Sequence, residues 1–92
     1  MSEVRDNEKL SRYELIVDGK TAFGEYRLSP GKITFMHTEV PDEFRGKGIG
    51  SKLVRGELEA ARSRGLKVVA CCPFVAAYIK GHSEFQNLIA RP

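Results

Sequence analysis

The stretch Val40-Pro41-Asp42-Glu43-Phe44-Arg45-Gly46-Lys47-Gly48-Ile49-Gly50-Ser51-Lys52-Leu53 decides how the rest of the chain is read. Residues 33–40, which run into it, read as a strand. Beyond it, Ile49, Leu53, Val54, Leu58 and Ala61 fall on one face of a 3.6-residue period, with Lys52, Arg55, Glu59 and Arg62 opposite. A helix is therefore expected to about residue 64. Gly46, Gly48 and Gly50 sit where strand gives way to helix. Glycine admits φ > 0 and lets a ligand approach the backbone. The first N–H groups of a helix have no partner inside it, and the helix dipole adds partial positive charge. Such a terminus accepts phosphate, and Arg45, Lys47 and Lys52 place full charges around it. A plain tight turn needs one glycine, not three at alternate positions. Two other phosphate loops fail on spacing. Counted from Gly46, the P-loop and the dinucleotide fingerprint both need a glycine where Ser51 stands.

The same stretch resembles the pyrophosphate loop of the GNAT superfamily of N-acetyltransferases, R/Q-x-x-G-x-G/A, with Arg45, Gly48 and Gly50 in its three defined places. The resemblance extends through His37-Thr38-Glu39-Val40-Pro41, Gly65-Leu66-Lys67-Val68-Val69 and Cys72-Pro73-Phe74-Val75-Ala76, and covers roughly residues 12–89. Small stand-alone GNAT-like domains look like this. The resemblance implies a minimal acyl-CoA N-acyltransferase fold, acetyl-CoA as cosubstrate and an amine of unknown identity as acceptor, either a small molecule or a protein lysine or N-terminus. It implies that Val40, Arg45, Gly46, Lys47, Gly48, Ile49, Gly50 and Ser51 hold the cofactor. Tyr78 resembles the tyrosine with which many GNAT enzymes protonate the departing thiolate of CoA. Relative to larger members, the chain is expected to lack the N-terminal strand and helices that help shape the acceptor pocket. That leaves the acceptor class open and keeps a second reading alive, an acyl-CoA-binding module with little or no catalysis.

At 92 residues one domain is the default. A chain of that size buries enough surface for one modest core, and the 41% hydrophobic and 29% charged composition is that of a soluble globular domain. No apolar run approaches the ~18 residues of a membrane span, and the polar start, Met1 to Lys9, lacks the apolar core of a signal peptide. A cytoplasmic monomer is expected. The net charge of +3 arises from basic residues interleaved with acids. With no aromatic stacking platform, nucleic acid is disfavoured as a partner. Cys71 and Cys72 are adjacent, point to opposite faces of a strand and pair poorly with each other. No Cys/His spacing matches a metal site, so no metal is expected.

Taken in order, residues 1–10 read as a flexible tail and residues 11–92 as the single domain. Residues 12–17, 21–28 and 33–40 read as strands. Asp18-Gly19 and Ser29-Pro30-Gly31-Lys32 supply the turns of an antiparallel meander. Gly65 suits the end of the helix, residues 66–71 a further strand, and Pro73 the first position of a short helix over residues 74–80 that stops at Gly81. Residues 83–89 carry no decisive pattern. The order β-β-β-α-β-α makes an α+β fold, with a mixed, mostly antiparallel sheet and a right-handed crossover helix.

Four residues are catalytic candidates. His37, an imidazole, is the side-chain type best suited to act as a general base; Glu39, on the same strand face if alternation holds, can orient it or act itself. Both patterns also fit ordinary strand residues. Cys72 lies between a strand end and Pro73, where a helix dipole favours thiolate. It either lines the site, carries the acyl group covalently, or is simply a small buried residue. Tyr78 enters through the resemblance and equally suits core packing.

Overall fold

Alternation and turn chemistry build the meander as expected in the computed structural model, which describes residues 4–90. Strand β2 (Arg12–Val17) places Tyr13 and Leu15 inward, and β3 (Lys20–Ser29) follows through a turn in which Asp18 and Gly19 have φ of 50° and 76°. Positive φ at both central positions matches the right-handed twist of the flanking strands. Strand β4 (Lys32–Glu39) adds Ile33 and Phe35 to the same buried face. Helix α1 (Ile49–Ser63) then crosses over to β5 (Lys67–Ala70), which lies parallel to β4. The helix closes as its composition requires. Gly65, at φ 69°, donates to Arg62 O at 3.1 Å, and Leu66 donates to Ala61 O at 3.0 Å. These bonds satisfy carbonyls that the helix end leaves open.

The sequence reads residues 1–10 as a tail, and the structure departs from that reading at residues 5–7. Arg5–Asn7 form an edge strand, β1, antiparallel to β2, so the sheet order is β1-β2-β3-β4-β5. Polar side chains hold it. Tyr26 Oη donates to Asp6 Oδ1 at 2.6 Å, Arg64 Nη1 lies 3.6 Å from Asp6 Oδ2, and the same nitrogen donates to Tyr13 Oη at 3.3 Å. Val4, partly buried against the core, adds the segment's one apolar contact among the described residues before β2. Residues 1–3 lie outside the described residues.

Helix α2 (Pro73–Lys80) follows β5 directly, and residues Ser83–Leu88 form a 3₁₀ turn that buries Phe85 and Leu88. The core is one cluster on one face of the sheet. Leu53, Val54, Leu58 and Ala61 of α1 meet Leu15, Ala22, Ile33, Phe35 and Val68 of the sheet, with Val75, Ile79 and Phe85 closing the side. The alternate sheet positions are not buried; Ile16 and Met36 there stand in solvent. Among the described residues no helix is long and apolar enough to cross a membrane.

Candidate active site

Pro41 ends the meander, and a 3₁₀ turn over Asp42–Phe44 buries Phe44 before the glycine loop begins. Gly46 and Gly48 both have φ of 78°, a conformation that costs any residue with a Cβ. Gly48 is the N-cap of α1, and no side chain caps the helix there. The first N–H groups of α1 therefore have no side-chain cap and no partner inside the helix. A Cβ at Gly46 or Gly48 would meet nothing within 4 Å, so the space beside the loop is open.

That space is a cleft of about 430 Å³, lined by Thr38, Val40, Phe44, Arg45, Gly46, Gly48, Ile49, Gly50, Ser51 and Phe74. Its size is typical of a small-molecule site. Gly50 serves a different purpose from the other two glycines. A Cβ on it would stand 2.7 Å from the ring of Phe74, so a small residue there lets α2 close the cleft. Lys47, the remaining loop residue of the expected set, is exposed and outside the lining. The Arg45 guanidinium is paired with Asp42 at 3.1 Å, at the surface.

The cleft reaches the point where β4 and β5 part. Cys71 N and Cys72 N both donate to Phe35 O, at 3.1 and 2.9 Å. Beyond Phe35 no backbone bond joins β4 to the segment after β5 among the described residues. The other edge of β4 is irregular at the same level. Tyr26 pairs with Phe35, yet Glu25 pairs with His37, so Met36 is an extra residue, a β-bulge. Strict alternation from Ile33 and Phe35 would turn His37 and Glu39 inward. The bulge instead puts Thr38 opposite Gly24 on the helix-covered face, and His37 and Glu39 on the open one. They do share a face there: His37 Nε2 lies 3.3 Å from Glu39 Oε1, both side chains being about half exposed.

Cys72 is the N-cap of α2 and is only 4% exposed, whereas Cys71 is exposed. The Cys72 thiol lies 3.3 Å from Thr38 Oγ1, directly behind the cleft wall. Tyr78 stands one helical turn beyond Phe74. Its ring stacks on His82 at 3.8 Å, and its hydroxyl accepts from Arg55 Nη1 at 3.5 Å. The structure thus gathers the loop, Val40 and Thr38 around one cleft, sets Cys72 behind it, and leaves His37, Glu39 and Tyr78 outside its lining. Among the described residues no group of three or more His, Cys, Asp or Glu is placed to hold a metal.

The sequence profile of the GCN5-related N-acetyltransferases matches residues 12–88, from β2 through the glycine loop to the final 3₁₀ turn. The chain belongs to that family. Within the GCN5-related N-acetyltransferases, its structure resembles the solution structure of a GCN5-like protein from Staphylococcus aureus, with a TM-score of 0.74 and 28% identity over 99% of this chain and 90% of that one. It is also 35% identical over 48 residues to Protein NATD1 of Xenopus tropicalis and of Homo sapiens. Those matches cover 52% of this chain and only 44% and 42% of the two relatives, so it spans less than half of either.

One buried residue of α1 in this GCN5-related domain escaped the sequence reading. Glu57 is 0% exposed, and neither carboxylate oxygen has a hydrogen-bond partner. Burial pushes its carboxyl up to about 8, and the neighbouring Cys72 adds to the rise. The carboxyl rests on Gly24, where a Cβ would lie 1.7 Å from Oε1. Two signals were present. Glu57 follows Leu53 by four and Val54 by three, on the apolar stripe of α1, and Gly24 interrupts a strand, a mark of close approach.

Proposed function

We infer that the chain transfers the acetyl group of acetyl-CoA to an amine. The observation that carries this reading is the uncapped start of α1, opening at Gly48 onto a cleft beside Arg45. The N–H groups there fit a pyrophosphate, and the left-handed glycines keep side chains off its path. Family membership supports the donor and the reaction class.

The chain's own groups account for the demands of the transfer. A lysine-type amine with pKa ~10.4 is neutral in only about one part in 2,500 at pH 7, a cost of roughly 4.6 kcal/mol. On this reading the amine approaches from the open face of the sheet, where the gap between β4 and β5 lies beside His37. Glu39 holds the imidazole, and His37 takes the proton. Backbone donors of β4 beyond Phe35, left without a β5 partner, stabilise the oxyanion. Tyr78 protonates the departing sulfur once its hydroxyl exchanges Arg55 for it.

The test is an amide NMR titration with acetyl-CoA, followed by an amine panel of small molecules and peptides on the same sample. Shifts concentrated at residues 45–52, with acetylated amine formed, are the expected result. Shifts elsewhere with this loop silent would sink the reading. Binding at the loop without turnover on any amine would select an acyl-CoA-binding module instead.

A further inference from the structure

One aromatic ring on the open face of the sheet is held from both sides. Phe23 of β3 lies in a row with Glu14 of β2 and Glu39 of β4, and the next row on that face is Arg12, Glu25 and His37. Phe23 therefore has a carboxylate directly opposite on each side, and Arg12 and His37 on its two diagonals, within reach of a large side chain. Both diagonals are used. The Arg12 guanidinium covers the ring at 4.2 Å from its centroid, and His37 meets the ring edge-on at 6.5 Å. Each of the two is also tied to a carboxylate of the neighbouring row. Arg12 Nε donates to Glu14 Oε2 at 2.7 Å, which accepts from Asn7 Nδ2 of β1 at 3.1 Å as well, and His37 Nε2 lies 3.3 Å from Glu39 Oε1. Ile16 and Met36 stand in solvent, whereas Phe23 is half-buried. An ionised carboxylate only accepts, so Nε2 of His37 carries the hydrogen and the lone pair is on Nδ1. A half-exposed imidazole with one contact at 3.3 Å is not held by that contact alone. The edge of Phe23, itself pinned under Arg12, supplies the second hold.

Resting on the reading of His37 as the base given above, we propose that Phe23, backed by Arg12, is a positioning residue that holds the His37 imidazole as one tautomer, with Nε2–H on Glu39 and Nδ1 turned to the amine. In the transfer the amine nitrogen forms its bond to the acyl carbon. The bond from that carbon to sulfur breaks with its electron pair leaving on sulfur, which takes a proton from Tyr78 as in that reading. The proton shed by the nitrogen goes to Nδ1. Glu39, which keeps the Nε2 hydrogen, and Glu25, opposite His37 on β3, are the carboxylates that face the imidazolium. Glu14 offsets the charge of Arg12, so the cation that covers Phe23 does not repel it. Being half exposed, the imidazolium returns its proton to water. The bulge at Met36 belongs to the same device, because it brings His37 round to the face that carries Phe23.

The test uses the full chain with its histidines labelled with nitrogen-15. Long-range proton–nitrogen spectra at about pH 8.5, above the ordinary imidazole range, show which ring nitrogen of each histidine carries the hydrogen. His82 is the internal standard, because its Nδ1 lies 2.7 Å from the Tyr78 carbonyl oxygen, which only accepts. His82 is expected as the Nδ1–H form and His37 as the Nε2–H form. Phe23→Leu should leave His82 as it is and average the two nitrogens of His37. Arg12→Gln, which keeps the ring and strips its cover, should do so in part, and Phe23→Tyr should keep the single form. Averaged nitrogens in the wild type, or a single form surviving in Phe23→Leu, would overturn the proposal, and this readout needs no acceptor. With any amine of the panel that is acetylated, Phe23→Leu should lower kcat about tenfold, part of the roughly hundredfold or more that a general base contributes, with KM for acetyl-CoA unchanged. A purely structural Phe23 would lower the melting temperature and leave the kcat of the folded protein alone, which overturns the proposal. The two readings also fail separately. Full turnover by His37→Gln sinks the base reading, and the proposal with it. A slow His37→Gln beside an unimpaired Phe23→Leu sinks the role of Phe23 alone.

Discussion

Burial of the Glu57 carboxyl ties the stability of the domain to pH. In the unfolded chain the group has its ordinary value of 4.5, and in the folded one about 8. Below the lower value both states hold the proton, and the stabilisation is fully present. Between the two values the folded chain keeps a proton that the unfolded chain has released, so stability falls as pH rises. At ~1.4 kcal/mol per unit, the loss by pH 8 amounts to a few kcal/mol. Urea unfolding at pH 5 and pH 8 should show this decline, and Glu57→Gln should flatten it. Equal slopes in the two proteins would contradict a buried, unpaired acid. Glu14 acts with the opposite sign and in another window. Its hydrogen bond from Arg12 holds it below the usual carboxylate range, so its contribution disappears only on acidification.

At the scale of elements, α1 is where sequence and structure agree most closely, because stripe, glycine N-terminus and glycine C-terminus all point one way. Its N-cap yields a direct prediction. Gly48→Ala forces a Cβ onto a backbone at φ 78° and should cost about 1–2 kcal/mol, seen as a lower denaturation midpoint at constant slope. The added methyl meets no neighbour, so the loss comes from the backbone alone. An unchanged midpoint would mean that the left-handed cap is not required. The extent of β4 is legible in the sequence, but the facing of its side chains is legible only up to Phe35. Nothing in Phe35-Met36-His37 announces a bulge; it exists because β4 must bend away from β5 while Thr38 keeps its seat opposite Gly24. One extra residue decides whether His37 and Glu39 face the core or the open side of the sheet. The loop could be read because glycine spacing and charge are local properties. The placement of Cys72, His37 and Tyr78 relative to the cleft depends on how the strands separate, which no local pattern encodes.

Across the whole molecule, the N-terminal strand is the clearest case of structure held by distant partners. Arg5-Asp6-Asn7 has no apolar alternation, so a reading by hydrophobic pattern passes over it. Its reason for folding is Asp6, which accepts from Tyr26 on β3 and faces Arg64 at the end of α1. The Tyr26 hydroxyl is held un-ionised by burial and by that bond, with its pKa raised. Asp6→Ala should therefore cost about 1–3 kcal/mol by leaving a largely buried hydroxyl without its acceptor, or several degrees in melting temperature for a domain of this size. A melting temperature unaffected by the change would return β1 to the status of a loose tail. The same contact bears on how the protein is made. On the ribosome Asp6 emerges early and Arg64 late, after both later strands of the meander and all of α1. Until then β1 can ladder only with β2, and the charge partner that locks it does not yet exist. β1 leaves the exit tunnel before the other four strands of the sheet yet is among the last to be secured, and nascent chains ending before about Arg64 should expose it to proteases that the finished domain resists.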